Sequence, residues 1–157
     1  MIQYIDEFLT NDEYKFVVDY CMKSPYYYGE VDDENLPPTG MTHEIEKNIS
    51  IYNLFEEKTR PYVSDNQTLY RMYVNCFAPG ENPYYHTDGK TGITFLFYVN
   101  TSYHINDGGE THFFMGKDEA QIILPIPNRL CYFDANILHR ATSFKNKHRF
   151  TLAIKYK

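Results

Sequence analysis

A mostly-β domain with flanking helices is the fold class this sequence predicts, and three observations predict it. Beyond Leu69 the chain runs through short alternating or aromatic segments separated by Gly, Pro, Asn and Asp, the pattern of an antiparallel sandwich or barrel. Before Leu69, apolar residues recur at helical spacing. The 157 residues lie in the single-domain range and show no repeat or low-complexity stretch. A double-stranded β-helix, or jelly-roll, accommodates this order. The expected organisation is one domain, 1–157, with helical support over about 1–64 packed on one sheet of a core over about 65–157.

A short strand is expected near Met1 to Phe8. Thr10-Asn11-Asp12-Glu13 then reads as a capping box opening a helix, with Phe16, Val17, Tyr20 and Cys21 on its apolar side and Ser24-Pro25 at its end. From Gly29 to Gly40 the chain is polar, rich in turn residues and without periodicity, a candidate lid. A second helix is predicted from Thr42 or His43 to Thr59, built on Ile45, Ile49, Tyr52 and Phe55 and stopped by Pro61. Strands follow over Leu69 to Phe77, Gly92 to Asn100, Thr111 to Phe114, Gln121 to Leu124, Leu130 to Asp134 and Arg149 to Tyr156.

Composition narrows the function. Residues 1–57 carry a net charge of −10 and residues 58–157 one of +4, so the acidic first part disfavours general binding to phosphate backbones. No stretch approaches a membrane span and no basic leader precedes an apolar core. Cys21, Cys76 and Cys131 are widely spaced, which argues against a disulfide framework or a zinc knuckle and for a reducing compartment. A cytoplasmic monomer that binds neither membrane nor nucleic acid is expected.

His86-Thr87-Asp88 carries the first chemical signal. Side chains at i and i+2 of an extended segment share a face, so both can hold one metal ion; a bare His-x-Asp is also the sequence of an ordinary surface turn. Downstream residues weigh on the metal side. His139 follows the strand-like Tyr132-Phe133-Asp134, and Arg149 and Thr151, starting ten positions later, share one face of the last strand. Two imidazoles and a carboxylate on one face of an octahedron leave the opposite positions open, the arrangement for non-heme Fe(II) that must bind a substrate and O2.

With this set the chain resembles the 2-oxoglutarate and Fe(II)-dependent dioxygenases, in their prolyl 4-hydroxylase-like branch, over roughly Tyr70 to Tyr156. In that family a His-x-Asp and a distal His bind iron, and a basic residue shortly after the distal His binds the far carboxylate of 2-oxoglutarate. A Ser or Thr two positions on often assists. The resemblance therefore implies that His86, Asp88 and His139 are the metal ligands and catalytic centre, and that Arg149 and Thr151 bind the cosubstrate. Tyr98 matches a Tyr that contacts the cosubstrate in several prolyl hydroxylases, and Gly108-Gly109-Glu110-Thr111 resembles a turn common in the family. Phe77 departs from the pattern, standing where many relatives have Tyr; Asn75, on the same strand face, matches an Asn of the alkylation-repair branch and is a substitute donor.

The resemblance implies Fe(II), 2-oxoglutarate and O2 as cofactor and cosubstrates, ascorbate as a reductant, and hydroxylation of a C–H bond coupled to decarboxylation of the keto acid. Peptidyl proline is the first expected substrate and a free amino acid or other small molecule the second. A non-catalytic jelly-roll binding module and an iron oxygenase independent of the keto acid are the competing classes. Arg149-x-Thr151 discriminates against the module, which has no use for it. His43 and His104 read as structural or loop histidines, Glu110 and His112 as a rival pair without a basic anchor, His148 as outward-facing, and Arg140 as a residue that reaches substrate or caps a carbonyl.

Overall fold

Alternation along the strands builds two layers around one buried sheet. In the computed structural model, which describes residues 1–157, the strands are β1 (Ile2–Ile5), β2 (Tyr27–Tyr28), β3 (Met41–Glu44), β4 (Leu69–Phe77), β5 (Ile93–Tyr98), β6 (Thr111–Gly116), β7 (Glu119–Ile123), β8 (Leu130–Asp134), β9 (His139–Ala141) and β10 (Arg149–Tyr156). Two helices, α1 (Asn11–Lys23) and α2 (Ser50–Thr59), precede β4. The strands form a seven-stranded sheet ordered β1-β8-β5-β10-β4-β3-β2 and a three-stranded sheet ordered β7-β6-β9, with every pairing antiparallel.

Both faces of the large sheet are covered. Met72 and Val74 of β4, Phe95 and Phe97 of β5, and Leu152, Ile154 and Tyr156 of β10 pack with Val17 and Cys21 of α1 and Ile51, Tyr52 and Phe55 of α2. The alternate residues Tyr73, Leu96, Tyr98 and Ala153 turn to the other side, toward Phe113 and Ile123 of the small sheet and Cys131 and Phe133 of β8. Helix α1 starts where Thr10 caps it: the Thr10 hydroxyl accepts from the Glu13 amide at 3.3 Å, and the Glu13 carboxylate returns to the Thr10 amide at 2.9 Å. It stops at Ser24, held extended by the following Pro25.

The second helix is shorter than its apolar spacing suggests. Residues 41–44 form β3, hydrogen-bonded to β4 in the register Met41↔Cys76 to Glu44↔Tyr73, and α2 begins only at Ser50. Asn48 at φ 67 takes the left-handed conformation that no helix can run through, so Ile45 and Ile49 reach the core from a strand end and a helix cap. The free cysteines are all buried, and burial pushes the Cys21 and Cys131 thiols up to about 12 and that of Cys76 to about 11. No helix is long and apolar enough to cross a membrane. Thr10→Ala removes one half of the capping box and is expected to lower stability by about 1 kcal/mol in urea denaturation; an unchanged midpoint would show that α1 is held by packing alone.

Candidate active site

Between the two sheets lies a cavity of about 220 Å³ whose walls include His86, Asp88, His139, Arg149, Thr151 and Asn75. The side chains of His86, Asp88 and His139 converge there: one ligand atom from each lies within 4.8 Å of the others, the only such trio of His, Cys, Asp and Glu in the chain. Backbone geometry brings the two imidazoles together, because the His86 amide donates to the His139 carbonyl and the His139 amide to the His86 carbonyl, both at 2.9 Å. Asp88 is fixed likewise, its amide donating to the Ala135 carbonyl at 2.8 Å.

Each imidazole has its Nδ1 against a main-chain oxygen, His86 on Tyr84 at 3.0 Å and His139 on Ile137 at 2.8 Å. With Nδ1 donating, Nε2 carries the lone pair, and each Nε2 faces Asp88, at 3.7 Å for His86 and 3.6 Å for His139. Burial pushes His139 down to about 4, against the pull of Asp88, so the ring is neutral at pH 7 as a metal ligand must be. The donor set fits a divalent metal held on one face.

Asp88 is supported by two side chains. Thr94 donates to its Oδ2 at 2.6 Å, and the Lys155 ammonium to Oδ1 at 2.8 Å. Burial pushes the carboxyl up, but Lys155, His139 and Thr94 together hold it below the usual carboxylate range. Lys155 lies on the same inward row of β10 as Arg149, Thr151 and Ala153, and all four line the cavity.

Arg149 is 2 % exposed. Its guanidinium donates to the Gly109 carbonyl at 2.8 Å, the Thr111 hydroxyl at 3.0 Å and the Thr151 hydroxyl at 3.3 Å, all neutral oxygens. Burial pulls its pKa down, countered by Tyr98 and Glu110. A buried cation among neutral acceptors on a cavity wall is placed to receive an anion. The backbone that supplies the carbonyl is shaped by Gly109 at φ 84, where an added Cβ would stand 2.4 Å from the Phe144 ring.

Tyr98 stands behind this wall: its hydroxyl meets Thr111 at 2.7 Å, and its ring lies 5.6 Å from the Arg149 guanidinium. Asn75 and Phe77 line the cavity from β4. His43 is engaged by Pro25 and Tyr20, His104 belongs to a loop bonded to Asp107, and Arg140 lies over the Tyr85 ring at 4.6 Å. Sequence reasoning missed Thr94, Thr111 and Lys155, although the period of two that paired Arg149 with Thr151 also points Lys155 inward. Arg71 and Asp32 also line the cavity; the sequence placed Asp32 only within the candidate lid and gave Arg71 no role.

No protein-family model and no curated protein sequence matches the chain. Solved structures do. The chain is similar to an oxidoreductase of the 2OG-Fe(II) oxygenase family from Burkholderia pseudomallei (TM-score 0.82, 12 % identity, 99 % of this chain and 84 % of that one). The fold is that of the 2-oxoglutarate oxygenases. Within the oxygenase fold, a Trichoplax adhaerens prolyl hydroxylase in complex with a hypoxia inducible factor peptide fragment superposes at TM-score 0.79, with 16 % identity over 99 % of this chain and 82 % of that one. A Pseudomonas putida prolyl-4-hydroxylase superposes at 0.76, with 13 % identity over 99 % and 91 %.

Two outcomes test the electrostatics. Lys155→Met leaves Asp88 charged and under-compensated, so the metal-free protein should lose about 3 kcal/mol of stability, and added divalent metal should restore most of it; equal losses with and without metal would separate Lys155 from the site. His139 is neutral in the folded chain down to about 4, whereas the unfolded chain takes up a proton below the ordinary value of 6.5. Stability of the metal-free protein therefore falls as pH drops through that window, and His139→Gln should flatten the fall in urea titrations at pH 7 and pH 5.

Proposed function

We propose that the protein is a 2-oxoglutarate- and Fe(II)-dependent hydroxylase. The observation that carries the reading is the pairing, on one cavity, of the His86, Asp88 and His139 trio with the buried guanidinium of Arg149. A sugar- or protein-binding jelly-roll has no need for either. When bound, the iron and keto acid supply activation of O2 and oxidation of a C–H bond. The chain's own residues position and exclude: His86, Asp88 and His139 present three donors on one face, and Arg149 with Thr151 and Thr111 holds the distal carboxylate. Tyr98 fixes the Thr111 hydroxyl in place, and Asn75 offers an amide to the ligand. Phe77 contributes shape without a hydroxyl.

Peptidyl proline is the first substrate class, supported by the likeness to prolyl hydroxylases, one of them holding a peptide. A free amino acid or other small molecule is the second reading, consistent with a cavity of only about 220 Å³. The unpaired cysteines support a reducing compartment such as the cytoplasm.

Anaerobic visible absorption tests the proposal without knowledge of the substrate. Fe(II) followed by 2-oxoglutarate should produce the charge-transfer band of a chelated keto acid, lost in His86→Ala. Arg149→Ala should raise the 2-oxoglutarate concentration for half-saturation by roughly tenfold or more, the loss of a buried charge-assisted contact. Iron binding without a band would indicate an oxygenase independent of the keto acid, and no iron binding would indicate a binding module.

A further inference from the structure

One wall of the cavity comes from the segment Gly29–Gly40, through Glu30, Val31, Asp32 and Thr39. Three contacts pin that segment. Glu30 pairs with Arg71 in a two-pronged bridge at 2.8 and 3.1 Å, the Gly40 amide donates to the Glu81 carboxylate at 3.1 Å, and Asp32 reaches the chain beside the first metal ligand. Asp32 lies further in than Glu30, its side chain 13 % exposed against 33 %. Its Oδ2 accepts from the Tyr84 amide at 2.8 Å and the Thr39 hydroxyl at 3.2 Å, while Oδ1 lies 3.4 Å from His86 Nδ1.

The same Tyr84 presents its carbonyl to His86 Nδ1 at 3.0 Å. Asp32 therefore holds, by a hydrogen bond, the residue whose carbonyl orients the imidazole, and sets a carboxylate oxygen beside the N–H edge of the imidazole itself. His86 is the ligand that needs such help. Its side chain is 22 % exposed against 5 % for His139 and 3 % for Asp88, and it lies outside the named strands, tied to the sheet by a single bridge. His139 is carried by β9, and Asp88 is held by Thr94 of β5 and Lys155 of β10.

We propose that Asp32 is a positioning residue for His86, and that through it the 29–40 segment and the metal site assemble together. The inference rests on reading His86, Asp88 and His139 as a metal site. A cation at Nε2 withdraws electron density from the ring, so Nδ1–H bonds the Tyr84 carbonyl more strongly and the more positive ring attracts the nearby Asp32 carboxylate. Linkage makes the effect mutual: whatever factor metal adds to docking of the segment, docking adds to metal affinity. Because the segment is also a wall of the cavity, metal at the centre steadies that wall as well.

Redox-inert Mn(II) is the probe, with affinity read by calorimetry and segment order by amide hydrogen exchange. In the wild type, Mn(II) should slow exchange across residues 30–39. Asp32→Ala should bind Mn(II) about tenfold more weakly or worse, and the metal should no longer slow exchange in the segment. Asp32→Asn should fall between, since its amide oxygen still accepts from Tyr84. Glu34→Gln, exposed on the same segment, should match the wild type. Wild-type affinity together with metal-dependent protection in Asp32→Ala would overturn the proposal while leaving the metal site standing. Failure of the wild type to bind Mn(II) would remove the metal-site reading, and the coupling with it.

Discussion

Burial of both faces of one sheet is the constraint on which the rest of this structure depends. In β4, β5 and β10 one row of side chains is spent on the helices, so the opposite row must either pack against the small sheet or line the cavity. Along β10 that inward row is Arg149, Thr151, Ala153 and Lys155. A shift of one residue in the pairing of β10 with β4 would turn the two cations into the helix-facing core and Leu152 and Ile154 into the cavity. Hydrophobic burial on one side thus fixes, without further instruction, the chemistry presented on the other.

The site is built from backbone before side chain. Reciprocal main-chain bonds between His86 and His139 set the imidazoles side by side, with ring centroids 4.5 Å apart, and the Nδ1 contacts to Tyr84 and Ile137 choose which nitrogen faces the cavity. Charge is balanced locally: Asp88 against Lys155, Arg71 against Glu30 and Glu44. Arg149 differs, its three partners being neutral oxygens supplied by Gly109, Thr111 and Thr151. That asymmetry separates a residue that holds the protein together from one placed to hold a ligand.

Much of this was legible in the sequence. Strand alternation located Leu69 to Phe77 and Leu130 to Asp134 exactly as they stand in β4 and β8, and the capping box located the start of α1, because these signals are local. The misread segment is Met41 to Glu44, where helical spacing of Ile45 and Ile49 competed with a strand that forms only because β4 offers it an edge. His86, Asp88, His139 and Arg149 were picked out by spacing, i and i+2 for the first pair and ten positions from His139 to Arg149, and the fold brings all four to one cavity. Asp32 was not, since its role comes from a contact with Tyr84, fifty-two positions away, that no local pattern announces.

On the proposed oxygenase reading, the sulfur atoms must withstand stray oxidants. Oxidative damage to cysteine begins with the thiolate, and Cys21, Cys76 and Cys131 are enclosed and held protonated well above neutral pH. Oxidants would therefore find no ready thiolate on this chain. The packing that makes the core also shields its thiols, and oxidation would fall first on the exposed methionines Met1, Met22 and Met115.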